Sequence, residues 1–435
     1  MSDIVGKPVI LVTFAGRRDR MELLSRYVAE AMRRNLVDEW HVWNFARNDE
    51  DDKWLRDRFT VVGRTPDDLI YYPAGQLDVG PDHRWRSRIR AGNDVHIAVK
   101  PRDGAPGAQA FEFVVGGWDN HRTVLRSVDS DDLLVRDDRD RRTTRPPVAA
   151  VDTPGILSGT AFRDVEVSLG PTGPTLSVDG AELITFDTPV EAGIHDVYVK
   201  TGYGTDGEWR FPDKGIAREF LYHNNEEPGA GWGAMYQFYI AGSVYHEDTV
   251  FLKCDDDIVY MQLDSLEEFL RFRIREEQYF LVSANVVNNN VCAYFQQKHG
   301  AIPRSLMELE LPPGGFGGRL WQSGELAELL HYHFLDNLDD FERMPAEPIE
   351  WIRRLSINCV AWLGRDLSYM SRIVDDENTL SVEIPAYLKR PNCIYPRFLA
   401  SHLSYNTQEG SLDVAGLISK YLEYAEKQGF PERIG

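Results

Sequence analysis

The first 45 residues have the hydrophobic pattern of a β-α-β unit. Residues 8–14 form a continuous apolar run, which is typical of a strand buried on both faces. In residues 19–35, apolar side chains recur every three or four positions and predict an amphipathic helix. Residues 39–45 indicate a second strand. Two strands joined by one helix should be parallel, with a right-handed crossover.

The pattern changes after about residue 59. Up to about residue 211, short alternating segments separated by Gly, Pro and Asp turns predict an all-β module. Helical and strand patterns then alternate to the end of the chain. We therefore predict a β-sandwich at residues 61–211, inserted into one α/β domain made of residues 1–60 and 212–435. This organisation requires residues 8–14 and 249–254 to form adjacent parallel strands of one sheet.

Charge and composition narrow the classes of partner. The formal net charge is −21 and the pI is near 5.0, which argues against a surface that neutralises nucleic-acid phosphates. The longest apolar run near the N-terminus is too short to span a bilayer, so no integral membrane segment is expected. The four cysteines form no CxxC pair and favour reduced thiols and a cytoplasmic location.

Residues 251–260 carry the most informative chemistry. An apolar strand leads into Asp255, Asp256 and Asp257, and a second apolar run follows at once. Asp255 and Asp257 can point to the same side and offer hard oxygen ligands to Mg²⁺ or Mn²⁺. The alternative is a solvated acidic turn, but three adjacent like charges beside a buried strand favour a compensating cation. As a strand-end carboxylate, Asp257 is expected to be exposed and to contribute little to packing.

The segment KCDDDIVYM, together with VTFAGR at residues 12–17, resembles the DxD region of GT-A glycosyltransferases. The resemblance covers roughly residues 4–59 and 218–422. It implies a Rossmann-like mixed sheet flanked by helices, and a nucleoside diphosphate sugar bound through Mn²⁺ or Mg²⁺. The metal ligands implied are Asp255, Asp257 and His402, and the residues implied to bind the nucleotide sugar are Phe14, Ala15, Gly16, Arg17, Asp255 and Asp256.

The same resemblance implies a later acidic motif that supplies the catalytic base. Asp376 and Glu377, in IVDDENTLSVEIP, are the candidates, and the choice between them stays open. An acidic triplet before Asn-Thr is equally typical of a helix N-terminus or a turn. His402 has a second interpretation as a structural histidine. In an extended strand, its side chain would point away from Leu403 and Tyr405.

The β module resembles a second family. The segments DVHIAVK, GGWDNHRTVLR and HDVYVKTGYGTDGEWRF are similar to the farnesoic-acid O-methyltransferase-like domain, a β-sandwich whose name records an old assignment rather than methyl transfer. Aromatic and polar side chains of this region either form a sugar platform or belong to the core, where we expect Trp118 and Trp209. The candidates are Trp118, Asn120, Arg122, Tyr203, Asp206 and Trp209.

These expectations combine into one main function and two alternatives. The main hypothesis is a metal-dependent glycosyltransferase that moves a sugar from a nucleoside diphosphate sugar to a glycan or other hydroxyl acceptor, with inversion. The first alternative is a non-catalytic carbohydrate-binding protein on a degenerate GT-A scaffold. The second alternative is metal-dependent phosphoryl hydrolysis, which would need further acidic clusters. The sequence offers one such cluster, the triplet that begins at Asp375. The donor sugar, the nucleotide and the acceptor stay open.

Overall fold

In the computed structural model the chain divides into two units. One comprises Met1–Arg58 and Leu221–Gly435, and the other comprises Phe59–Phe220. The structure describes residues 6–65, 67, 69–105, 107–133, 146–170, 172–211, 218–223, 233–315, 317–371, 373 and 375–432.

Twenty-one strands are described within these ranges. In chain order they are β1 (Val9–Ala15), β2 (Glu39–Asn44), β3 (Thr60–Thr65), β4 (Tyr72–Asp78), β5 (Trp85–Arg90), β6 (Val95–Pro101), β7 (Gln109–Gly116), β8 (Arg122–Asp129), β9 (Ala149–Asp152), β10 (Arg163–Gly170), β11 (Gly173–Val178), β12 (Ala181–Thr185), β13 (Ile194–Lys200), β14 (Gly207–Phe211), β15 (Glu219–His223), β16 (Val250–Cys254), β17 (Ile258–Met261), β18 (Val282–Val287), β19 (Ile349–Trp351), β20 (Cys359–Leu363) and β21 (Asn392–His402).

The helical segments of the described residues range from single turns to sixteen residues. They are α1 (Arg18–Arg33), α2 (Asp49–Arg58), α3 (Gly117–Asn120), α4 (Ser130–Leu133), α5 (Gly233–Ala241), α6 (Ser243–His246), α7 (Leu263–Arg275), α8 (Asn290–Lys298), α9 (Arg319–Gln322), α10 (Gly324–Asp336), α11 (Leu338–Glu342), a 3-10 helix (Gly364–Met370), α12 (Asp376–Asn378), a π-helical turn (Thr379–Glu383), α13 (Ile384–Leu388) and α14 (Val414–Lys427). Within the described ranges, every helix is too short or too polar to cross a membrane.

The first unit is built on a mixed sheet. Its strands follow the order β2-β1-β16-β20-β18-β21-β17, and β19 pairs with β21. β1 is parallel to both β2 and β16, with Val9 opposite Val250. The predicted parallel pairing of residues 8–14 with 249–254 is therefore confirmed. β16 and β20 are antiparallel, whereas β18 and β21 are parallel.

The N-terminal β-α-β unit forms where the hydrophobic pattern predicts it. All seven residues of β1 are buried, as expected for a strand with both faces covered. The predicted stripe of α1 is also buried. It consists of Leu24, Tyr27, Val28, Ala31 and Met32. Burial of this stripe, rather than helix propensity alone, stabilises the helix.

The second unit is a β-sandwich. One layer contains β12-β11-β10-β5-β14-β3 and the other contains β4-β13-β6-β7-β8-β9, and the pairs recorded within each layer are antiparallel. Inward-facing side chains of both layers form one core, with Trp85 and Trp209 from the first layer and Phe111 and Phe113 from the second.

Candidate functional site

A cleft of about 360 Å³ lies in the first unit, at one edge of the mixed sheet. Its lining contains most of the site residues that the sequence predicts. The lining residues are Phe14, Gly16, Arg17, Phe45, Arg47, Lys253, Asp255, Asp256, Asp257, Ile357, Asn358, Asp376, Glu377, His402, Ser404, Tyr405 and Asn406. Ala15 is buried at the end of β1 and is not part of this lining.

Strand direction explains why these segments meet. β1, β2 and β16 are parallel, so their carboxyl ends lie at the same edge of the sheet. The residues that follow these ends are Gly16, Phe45 and Asp255. β20 runs in the opposite direction, so the residue that precedes it, Asn358, reaches the same edge. Ligands of open α/β sheets bind outside the carboxyl ends of parallel strands, which is where this cleft lies.

The three aspartates have different environments. Asp255 is partly exposed and is held by Lys253 and by Asn358 Nδ2. Asp256 accepts hydrogen bonds from the Gly16 backbone N–H at 2.8 Å and from Arg17 Nη2 at 2.6 Å. Burial and the neighbouring Asp257 charge raise the pKa of Asp256, against the opposing effect of Arg17.

Asp257 is buried, with 4 % of its surface exposed, so the expectation of an exposed carboxylate is wrong. The reason is a set of nitrogen atoms from distant segments, which belong to two arginine side chains and one histidine side chain. Nitrogens of Arg17, Arg20 and His402 each lie 3.1 Å from its carboxylate oxygens. Burial alone would raise the pKa of Asp257, but the charges of His402, Arg17 and Arg20 lower it below its ordinary value.

One group of side chains has the donors of a divalent-metal site. Donor atoms of Asp255, Asp257 and His402 all lie within 4.8 Å of one another. Among the described residues, the buried Nδ1 atom of His402 has no hydrogen-bond partner. Two carboxylates and one imidazole form an oxygen and nitrogen donor set that first-row divalent ions such as Mn²⁺ accept. The residues implied by the resemblance therefore fit such an ion.

His402 differs in one respect from the expectation. Its ring lies 4.5 Å, centroid to centroid, from the ring of Tyr405 rather than pointing away from it. The alternation of an extended strand does not continue past His402, because β21 ends there and the chain turns.

Asp376 and Glu377 both reach the cleft, at the start of α12, but they have different partners. The Asp376 carboxylate accepts hydrogen bonds from the Tyr236 hydroxyl at 3.3 Å and from the Glu377 backbone N–H at 2.9 Å. Glu377 forms an ion pair with Arg354 at 2.6 Å. Burial raises the pKa of Asp376, Lys253 opposes the shift and Asp255 adds to it. The triplet also forms a helix N-terminus, one of the alternatives that its sequence leaves open, since Asp375 accepts a hydrogen bond from the Asn378 N–H.

Sequence reasoning missed several residues of this site. Arg20 and Glu409 complete the ion-pair network, because Glu409 accepts hydrogen bonds from Arg17 at 3.1 Å and Arg20 at 2.7 Å. Arg20 lies in the first turn of α1, only three residues after Arg17, and this closeness along the chain is a usable signal. Glu409 lies nearly four hundred residues from its partners along the chain, and no local pattern connects them.

The candidate sugar platform of the sandwich is only partly assembled. Trp209 is fully buried, as expected for the core, whereas Trp118 is 54 % exposed and the core interpretation is wrong for it. The Arg122 guanidinium lies 6.0 Å from the Trp118 ring centroid. The Tyr203 ring lies beside His96, and Asp206 accepts a hydrogen bond from the Asp67 N–H.

Comparison with known proteins gives one family match, within the second unit. Residues 65–214 match the model of the family described as "Farnesoic acid 0-methyl transferase". No curated protein matches the chain.

Solved structures that match part of this chain include a carbohydrate-binding module and two galectins. One is the carbohydrate-binding module CBM66 from Bacillus subtilis, with 9 % identity, a TM-score of 0.21 and coverage of 32 % of this chain and 73 % of that one. Sheep galectin-11 in complex with glycerol has 11 % identity and a TM-score of 0.21, and the match covers 31 % of this chain and 98 % of the galectin. Caenorhabditis elegans galectin LEC-6 has 13 % identity, a TM-score of 0.22 and coverage of 34 % and 93 %. At these scores, no functional conclusion follows.

Proposed function

We propose that the first unit is a metal-dependent glycosyltransferase, which transfers a sugar from a nucleoside diphosphate sugar to a hydroxyl group of a glycan or another acceptor. One observation carries the proposal. A carboxylate–imidazole donor group, Arg17 at the end of β1, and the partly buried carboxylate of Asp376 with its raised pKa all line the same cleft. The resemblance of the DxD segment to GT-A glycosyltransferases supports the same reaction.

Three cationic side chains line the cleft among its carboxylates, namely Arg17, Arg47 and Lys253. Arg17 already pairs with Asp256 and Asp257, and Lys253 pairs with Asp255, so a diphosphate would also need the divalent ion to balance its charge. At Gly16 there is little room for a side chain. A Cβ atom at this position would lie 3.3 Å from the Phe45 carbonyl oxygen and 3.5 Å from Asp256 Oδ2. A side chain at this position would therefore crowd the cleft wall.

Asp255, Asp257 and His402 are the residues that would hold Mn²⁺ or Mg²⁺. When bound, such an ion neutralises the negative charge that develops on the departing diphosphate. The chain's own contribution is to hold the donor atoms in place. Arg17 and Arg20 fix Asp257, and Lys253 fixes Asp255.

We assign the role of general base to Asp376. Glu377 is already paired with Arg354, whereas the Asp376 carboxylate faces the cleft with neutral hydrogen-bond donors. In an inverting displacement, the acceptor hydroxyl oxygen bonds to the anomeric carbon while the bond from that carbon to the diphosphate oxygen breaks. The hydroxyl proton moves to Asp376, and the electron pair leaves with the diphosphate.

The test is release of nucleoside diphosphate from a panel of nucleotide sugars, with Mn²⁺ and with chelator alone. We expect at least one donor to turn over only with the metal. Asp376→Asn should lower kcat by about 10²–10⁴-fold with little change in the Mn²⁺ requirement. His402→Ala should instead raise the Mn²⁺ concentration needed for activity, with excess metal restoring part of the rate.

Two controls make this test specific. Asp264→Asn removes a surface carboxylate that lies outside the cleft. Among the ion pairs of the described residues, Asp264 pairs only with Arg34, so this variant should retain full activity. Thermal melts must show that each variant is folded. A folded wild-type chain that releases no diphosphate from any donor would contradict the proposal, and full activity in Asp376→Asn would overturn the assignment of the base.

A further inference from the structure

The short segment α3, which joins β7 to β8 in the sandwich, is a left-handed turn rather than a regular helix, and it presents an exposed tryptophan on a strained backbone. Trp118 is 54 % exposed. Trp118, Asp119 and Asn120 all have left-handed backbone angles, with φ of 53°, 58° and 63°. A single exposed apolar residue is ordinary, but three successive non-glycine residues in this conformation are strained. Such strain persists only where the surrounding structure enforces it.

Hydrogen bonds from a neighbouring segment enforce the turn. The Asn120 side chain donates to the Leu157 carbonyl at 2.9 Å and accepts from the Leu157 N–H at 3.0 Å. The Asn120 carbonyl accepts from the Gly155 N–H at 2.7 Å. Gly116, which precedes the turn, has φ of 58°, and a Cβ there would lie 2.7 Å from Asn120 Oδ1. The turn is thus a rigid support for the Trp118 ring.

The residues that follow Trp118 in the chain are polar. Asp119, His121 and Arg122 are exposed, and the Arg122 guanidinium lies 6.0 Å from the ring centroid. A stable protein interface buries about 800 Å² per partner and needs a larger apolar centre than one ring. A single sugar ring matches the area of one indole and needs hydrogen-bonding groups at its edge.

We propose that the Trp118 turn is a carbohydrate-docking site of the sandwich. The indole stacks on the apolar face of a pyranose, and Arg122, His121 and Asp119 hydrogen-bond its hydroxyl groups. This site is separate from the transferase cleft, and neither proposal depends on the other.

Affinity gel electrophoresis of the full-length chain tests the site without metal or nucleotide sugar. The probes are soluble neutral polysaccharides, namely α- and β-linked glucans, galactans and mannans. We expect at least one to retard the wild type. Trp118→Asn removes the ring while keeping a residue that tolerates left-handed angles, and it should weaken retardation roughly tenfold or more. Trp118→Phe, which keeps a smaller ring, should retain part of it.

Tyr387→Ala is the matched control, because this residue of the first unit is also an exposed aromatic, with 79 % exposure. It should be retarded like the wild type. Unchanged melting temperatures show that the loss in Trp118→Asn is not unfolding. The proposal is overturned if no polysaccharide retards the folded wild type, if Trp118→Asn is retarded equally, or if Trp118 affects only binding of this chain to proteins.

Discussion

At the scale of single residues, His331 of α10 is a buried imidazole whose charge the fold opposes. Its Nδ1 lies 2.8 Å from the Tyr421 hydroxyl and its Nε2 lies 2.9 Å from the Leu403 carbonyl oxygen. Burial lowers the pKa of His331 from 6.5 to about 4, against the effect of the Leu403 carbonyl. Since the folded pKa lies below the unfolded one, this group contributes stability above pH 6.5 that is lost as the pH falls toward 4.

We therefore predict that His331→Gln flattens the pH dependence of stability. Between pH 7 and pH 4.5, the wild type should lose up to about 3 kcal/mol more unfolding free energy than the variant, because the variant has no proton to take up on unfolding. Urea unfolding at both pH values measures the difference. His83→Gln, at a half-exposed position, should behave like the wild type. Equal pH slopes in wild type and His331→Gln would contradict the prediction.

Residues of the candidate site were predictable from the sequence where one short segment contains both the strand and the polar side chain that follows it. The Asp triplet follows an apolar strand, and Arg17 follows another, so both reach the sheet edge by strand direction alone. The burial of Asp257 was not predictable in this way. It depends on Arg17, Arg20 and His402, which are 240, 237 and 145 residues away along the chain. Only the tertiary fold brings these charges together.

At the scale of elements, the C-terminal helix α14 depends on one capping residue. Asp413 precedes it, and its carboxylate accepts a hydrogen bond from the Gly416 N–H at 2.9 Å. The helix buries Leu417, Ile418 and Tyr421, and the Tyr421 hydroxyl contacts His331. Loss of the cap therefore weakens a helix that packs into the core of the first unit.

We predict that Asp413→Ala lowers the free energy of unfolding by about 1 kcal/mol. Asp413→Asn is the matched control, because its side-chain oxygen can still accept the Gly416 hydrogen bond. It should retain most of the stability. Denaturant titration followed by circular dichroism measures both variants. If the two variants are equally destabilised, the cap is not the source of the effect.

Helices and strands whose hydrophobic residues repeat with one clear period were predictable from the sequence. A strand that pairs with several partners was not. The apolar run of β1 and the 3.6-residue stripe of α1 give the correct structures because burial of one face dominates their energetics. β21 is an eleven-residue strand that pairs with β17, β18 and β19, and its register with β18 shifts within the strand. Such a shift depends on the partner strands, so the local sequence does not specify it.

At the scale of the whole molecule, the net charge of −21 affects how metal binding must be measured. Divalent cations screen a strongly acidic chain and raise its stability without a specific site. A specific ion bound by Asp255, Asp257 and His402 adds a separate contribution, because a ligand that binds only the folded state stabilises it by mass action. Screening depends on the acidic surface as a whole, whereas specific binding requires Asp255, Asp257 and His402.

We predict that Mn²⁺ at a hundredfold excess over its Kd stabilises the first unit by about 2.7 kcal/mol beyond the screening effect. Thermal unfolding is compared in Mn²⁺ and in NaCl of equal ionic strength, for the wild type and for Asp255→Asn/His402→Ala. The double variant loses two donors but keeps nearly all of the acidic surface, so it should retain the screening effect and lose the specific one. Equal Mn²⁺-dependent shifts in both proteins would mean that the carboxylate–imidazole group binds no ion, and the metal requirement of the proposed transferase would then fail with it.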